Sequence, residues 1–156
     1  RGVNLRYFNV AGAGWPELSD TAVLNLVPIV FDRLKQKKSP VVFGDDYPTL
    51  DGSCIRDYVH VLDLAEAHLA ALDYLETSQR PHDTFNVGTG VGSSVFEVLA
   101  EIRKVSGINF EVEIAPRRAG DPPRLCADVS RIAETLGWRA KYGLREIIES
   151  AWQARQ

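Results

Sequence analysis

The chain has 156 residues, 45% of them apolar and 25% charged, which suits one soluble globular domain with a buried core. A net charge of −3 argues against a broad nucleic-acid surface, though it leaves room for a local arginine cluster that receives phosphate. No apolar run is long enough for a membrane span, and the opening residues do not read as a signal peptide.

The opening run Val3-Asn4-Leu5-Arg6-Tyr7-Phe8-Asn9-Val10 reads as a strand already under way, with no cap or turn before it. The chain opens on Arg1 and has no methionine, so the expectation is a fragment whose first strand joins a sheet made elsewhere. Ala11-Gly12-Ala13-Gly14 breaks that strand, and a loop runs from Trp15 to Ala22. Leu24, Val27, Phe31 and Leu34 then recur at helical spacing, with Pro28 acceptable only in the first turn. Val41-Val42-Phe43 is a short strand, and Asp45, Asp46 and Asp51 stabilise the turns that follow.

Cys54 to Val61 is strand-like, and Asp63 with Glu66 has the spacing of a capping box. The next helix is expected to bury Leu64, Ala67, His68, Ala71, Leu72 and Leu75. Thr84 to Val87 is a strand, and Ser94 with Glu97 caps a helix from Val95 to Val105 that stops at Gly107. Phe110 to Ile114 alternates like a strand, Ser130 is a cap for a helix ending at Gly137, and Gly143-Leu144 opens the last helix. Strands alternating with helices predict an α/β fold.

Arg56, Arg117 and Arg118 offer the planar donor forks that suit phosphate oxygens. They read either as a converging diphosphate site or as ordinary partners of surface carboxylates. Asn25, near a helix start, is either an anion contact or a plain N-cap. Gly88-x-Gly90-x-Gly92 brings its third glycine one residue early for a dinucleotide fingerprint, so a strand-to-helix connection is the better reading. His60 and His68 lack a third ligand, and Cys54 and Cys126 lack metal or redox spacing. Reduced cysteines fit a cytoplasmic protein.

Together, Leu5-Arg6-Tyr7-Phe8-Asn9-Val10-Ala11-Gly12, the run from Phe43 to Val61, Phe85 to Gly90, Pro116 to Asp121, and Leu136-Gly137-Trp138 resemble the UDP-glucose 4-epimerases. These are extended short-chain dehydrogenases of the NAD-dependent epimerase/dehydratase type. Asp46-Tyr47-Pro48-Thr49-x-Asp51-Gly52 is the most specific of these strings. The resemblance implies interconversion of UDP-glucose and UDP-galactose through a 4-keto intermediate, with NAD as cofactor. It also implies a UDP-sugar as partner, a homodimer in the full enzyme, and no nucleic acid or membrane. Alternatives are another NAD-dependent nucleotide-sugar epimerase or dehydratase, or a non-catalytic nucleotide-sugar-binding module.

By that resemblance, residues 1–156 are a single C-terminal nucleotide-sugar-binding region whose strands complete a Rossmann-type sheet. The NAD-binding domain and the catalytic Tyr-x-x-x-Lys would lie outside the chain, which would then be inactive alone and have no catalytic residue of its own. Substrate contacts are expected from Phe8, Asn9, Asn25, Leu26, Val41, Phe43, Arg56, Arg118 and Asp121, and a cofactor contact from Tyr7. Leu125 stands where some members carry a tyrosine that walls the sugar pocket. The smaller side chain implies tolerance of N-acetylhexosamine sugars; turnover of UDP-glucose without any turnover of UDP-N-acetylglucosamine would refute this.

Overall fold

A computed structural model describes residues 1–80 and 82–155. In chain order the elements are β1 (Gly2–Tyr7), β2 (Asn9–Ala11), α1 (Leu26–Lys35), β3 (Val41–Phe43), β4 (Ile55–His60) and α2 (Val61–Thr77). They continue with β5 (His82–Val87), β6 (Gly92–Ser94), α3 (Val95–Ser106), β7 (Glu113–Ala115), β8 (Arg124–Leu125), α4 (Ser130–Leu136) and α5 (Leu144–Gln153).

The parallel pairings are made inside the chain. β1 pairs with β5 from Gly2↔His82 to Tyr7↔Val87, β2 with β4 from Asn9↔Tyr58 to Ala11↔His60, and β3 with β7 from Val41↔Glu113 to Phe43↔Ala115. Each pair is joined by a crossover that includes a helix, as parallel strands require. The α/β class is as expected. The expectation that these strands only complete a sheet supplied from elsewhere is corrected, because the β–α–β arrangement of Rossmann type is formed within this chain.

Two clusters make the core. One lies among α1, α3, α5, β3 and β4, around Val30, Phe31, Val42, Leu99, Ile102, Ile147 and Ile148. The other lies between the β1–β5 pair and the helices α2 and α4, around Val59, Ala67, Phe85, Val87, Ile132 and Trp138. Such burial supplies most of the favourable free energy of folding.

Several local expectations shift. α1 buries Val27, Pro28, Val30 and Phe31, while Leu24 precedes the helix and is 81% exposed. α2 is capped by His60, not by Asp63: the His60 Nδ1 accepts from the Leu62 N–H at 3.0 Å. Asp63 is fully buried and accepts from the backbone N–H groups of Lys141 and Tyr142 at 3.0 and 3.2 Å. Leu72 is exposed rather than buried. β7 is shorter and later than its alternating run because its partner β3 offers only three residues. The Ser94–Glu97 capping box forms, and Gly107 and Gly137 close their helices in the left-handed conformation, at φ 69° and 66°.

Candidate functional site

A cavity of about 510 Å³ opens between α1, β3, β4 and the loop before β8. β4 contributes Cys54 at its entry, then Arg56 and Tyr58, spaced by two so that all three share one face. β3 contributes all three of its residues, Val41, Val42 and Phe43, and α1 contributes Leu26, Ile29 and Arg33 at helical spacing. Asn9, Asn25, Arg118 and Asp121 complete the polar lining.

Arg56 is pinned before any ligand is considered. Its Nη1 donates to the carbonyl oxygens of Ile55 and Pro122 at 2.8 and 2.9 Å, and its Nη2 to Asp121 Oδ1 at 3.2 Å. The side chain is 13% exposed, so its fork is held in a fixed orientation at the cavity edge. Arg118 is exposed and lies over the Phe43 ring, with its guanidinium carbon 4.0 Å from the centroid, a cation–π arrangement. Asn25 holds the N-cap position of α1 with extended backbone, φ −102° and ψ 163°, yet its side chain makes no cap bond. That leaves its amide for the cavity. Burial pushes the Tyr58 hydroxyl well above the usual tyrosine range, so it stays a neutral donor or acceptor on the wall.

Of the residues expected from the sequence, Asn9, Asn25, Leu26, Val41, Phe43, Arg56, Arg118 and Asp121 converge on this cavity. Phe8, Tyr7 and Leu125 are not among its lining residues. Phe8 is half-buried between β1 and β2, and its N–H donates to the Val87 carbonyl at 3.1 Å. Leu125 pairs in register with Arg56 and is 48% exposed. Tyr7, at the carboxyl end of β1, is 49% exposed and hydrogen-bonds His68 Nε2 at 2.8 Å. His68 Nδ1 lies 2.8 Å from the Leu64 carbonyl; that carbonyl only accepts, so Nδ1 carries the proton and the tyrosine hydroxyl is the donor to Nε2.

Sequence reasoning missed Arg33, Cys54 and Tyr58. Arg33 donates from Nε to the Ser39 carbonyl at 2.5 Å and lies 3.8 Å from Glu113. Its signal was its position seven residues after Leu26, two helical turns along one face. Cys54 and Tyr58 were legible as the strand neighbours of Arg56 two residues either way. Arg117, weighed as a phosphate ligand, instead pairs with Asp46 at 2.6 Å, and that hydrogen bond holds the Asp46 carboxyl below its usual range. The two cysteines are both free. Among the described residues no group of three or more His, Cys, Asp or Glu could hold a metal ion, and no helix is long and apolar enough to cross a membrane.

The parallel α/β layer carries, beside α1, β3 and β4, a cavity lined by Arg33, Arg56, Arg118, Asn9 and Asn25. The chain belongs to the NAD dependent epimerase/dehydratase family, which matches residues 1–88. A UDP-glucose 4-epimerase of Halalkalibacterium halodurans is 46% identical over 155 residues, which cover 96% of this chain and 46% of that relative. The crystal structure of a UDP-glucose-4-epimerase from Stenotrophomonas maltophila, with bound NAD and formylated UDP-arabinopyranose, superposes with a TM-score of 0.89 at 38% identity, over 98% of this chain and 47% of that one. The UDP-Glc/GlcNAc 4-epimerase of Campylobacter jejuni superposes with a TM-score of 0.79 at 46% identity, over 99% and 48%. The chain thus spans about half the length of the relatives it matches.

The family match falls on this chain's own residues, within its own parallel β–α–β units. On these two findings the expected division of labour is withdrawn. That expectation makes residues 1–156 only a C-terminal substrate half without activity, and leaves NAD and the catalytic elements to a separate domain. As for NAD itself, Tyr7 fits: it is a half-exposed aromatic ring at the carboxyl end of a parallel strand. The turn Gly88–Gly92 does not fit a dinucleotide pyrophosphate. The N–H groups of Thr89 and Gly90 that a phosphate would need already donate to the Asp57 carboxylate, at 2.8 and 2.9 Å.

Proposed function

We propose that this protein acts in NAD-dependent 4-epimerisation of a UDP-hexose, interconverting UDP-glucose and UDP-galactose. The cavity beside α1 holds the nucleotide diphosphate. The observation that carries this reading is the convergence of Asn25, Arg56 and Arg118 on one cavity that also presents Val41 and Phe43. Guanidinium forks and an amide suit the diphosphate oxygens, and a valine beside an aromatic ring suits a pyrimidine base. The names of the relatives supply the substrate class.

NAD, held beside Tyr7, would supply the hydride acceptor and donor chemistry for carbon 4 of the sugar. The residues of this chain hold and orient. Arg56 and Arg118 fix the diphosphate, Asn25 adds a neutral donor, and Tyr7 would contact the cofactor. Such a clamp keeps the nucleotide in place while the sugar turns. Leu125 leaves space for an N-acetyl group, and turnover of UDP-N-acetylglucosamine beside UDP-glucose tests that. A cytoplasmic location belongs to the same reading, supported by the two unpaired cysteines, and cell fractionation checks it.

The deciding experiment is calorimetric titration with UDP and then UDP-glucose, beside the Arg56→Ala, Arg118→Ala double variant. Saturable UDP binding is expected, weakened at least about tenfold in the variant, as for lost hydrogen bonds to charged groups. Equal affinity in the two proteins would remove the diphosphate from this cavity.

A further inference from the structure

Arg33 lines the same cavity as Arg56 and Arg118, yet the proposed function gives it no role. Asn25, assigned to the diphosphate, stands at the start of α1, and Arg33 stands near the end of that helix, about 12 Å further along its axis. There α1 meets the start of β3. Arg33 Nε donates to the carbonyl of Ser39, two residues before Val41, at 2.5 Å. Its Nη2 lies 3.8 Å from Glu113 Oε2, and Glu113 is the register partner of Val41.

The guanidinium is thus tied through Nε beside the apolar strand proposed to receive the base. Its remaining donors are lightly engaged. Glu113 is 63% exposed, so water screens that pair and it holds the charge weakly. Nη1 donates to no group among the described residues.

Val41 and Phe43 have no polar side-chain atom, so they grip any pyrimidine face and cannot tell one pyrimidine from another. A guanidinium can, because it carries donors only. Uracil shares the ring oxygen at position 4 that accepts in thymine, where cytosine has an NH2 donor. Two donors set against each other leave both without a partner, which costs more than a contact that was never made.

We infer that Arg33 is a specificity-determining residue for the base: it donates to a ring carbonyl oxygen and so favours uridine over cytidine nucleotides. This rests on the proposed reading, in which Val41 and Phe43 hold the base and Arg56 and Arg118 the diphosphate.

The test is calorimetric titration with UDP and with CDP, in the wild-type protein, Arg33→Met and Arg56→Ala. Wild type is expected to bind UDP at least about tenfold more tightly than CDP. In Arg33→Met, which keeps an apolar stem of similar length, the two should come within about threefold of each other, through loss of UDP affinity. Arg56→Ala should weaken both ligands alike and keep their ratio, since they share the diphosphate. Equal wild-type affinity for UDP and CDP would overturn the assignment, and that comparison needs no variant. A ratio that survives in Arg33→Met, or that collapses equally in Arg56→Ala, would also overturn it. Failure of the wild-type protein to bind UDP would instead overturn the underlying functional reading.

Discussion

His60 is 2% exposed and sits at the junction of β4 and α2. Its Nδ1 accepts from the Leu62 N–H, so Nε2 carries the proton and donates to Ser150 Oγ at 2.9 Å. Ser150 Oγ also accepts from the Ala13 N–H and donates to the Ile147 carbonyl. The Tyr142 ring packs against the imidazole, 4.5 Å between centroids. Burial lowers the His60 pKa below its usual 6.5, outweighing the opposite pull of Asp63 and Glu146. A depressed histidine pKa gives stability that is complete above the unfolded value. That stability is lost as pH falls from there through the folded value. Protonation would also set two N–H groups against each other at the helix cap. The melting temperature should therefore drop between about pH 7 and about pH 5. The drop should be shallower in His60→Asn, which keeps a capping acceptor without the titration. Parallel slopes in the two proteins would mean that the titrating group lies elsewhere.

At the scale of elements, the turn between β3 and β4 shows how a short string joins two strands that line the cavity. Gly52 has φ +80°, and a Cβ there would lie 1.8 Å from the Asp45 carbonyl oxygen. Its own carbonyl accepts from the Tyr47 N–H at 2.8 Å. Asp51 then accepts from the Ser53 N–H and hydroxyl at 3.0 and 2.9 Å and from the Ser94 hydroxyl. Burial alone would raise the Asp51 carboxyl, but these hydrogen bonds outweigh it and hold it below the usual range. Gly52→Ala should cost about 1–2 kcal/mol from the left-handed backbone alone, with more from the clash. Urea unfolding measures this, and a variant as stable as wild type would show that the turn can be rebuilt without its glycine. These aspartates were legible as turn formers. Asp63 was not read correctly, because its partners are the N–H groups of Lys141 and Tyr142, far along the chain. A capping-box spacing records only what neighbours in sequence can do, and here a distant loop took the acceptor first.

For the whole molecule, the α/β alternation and most helices were readable because periodicity and caps are local signals. The convergence of Asn25, Val41, Arg56 and Arg118 was not readable from spacing, since each arginine had surface carboxylates as equally good partners. Arg117 in fact took one, and only its place in the fold separates it from Arg118. The pairing of β1 with β5 was missed for a related reason. A strand that opens a chain carries no mark of where its partner lies, and this one lies some eighty residues later.

On the proposed reading, the cavity's arginines would also govern which ligands are turned away. Arg56 already has Asp121 and Arg33 has Glu113 within ion-pairing distance, while Arg118 is drawn down onto the Phe43 ring. The walls therefore do not present three unshared positive charges to every passing polyanion. Free pyrophosphate would have to compete with partners already in place, and would bring no pyrimidine to repay the displaced stacking on Phe43. A ligand that carries both a diphosphate and a base can make that exchange at both ends. On the proposed reading, self-pairing of this kind would make the cavity a filter against free anions, in which discrimination comes from how its charges are shared and not from how many there are.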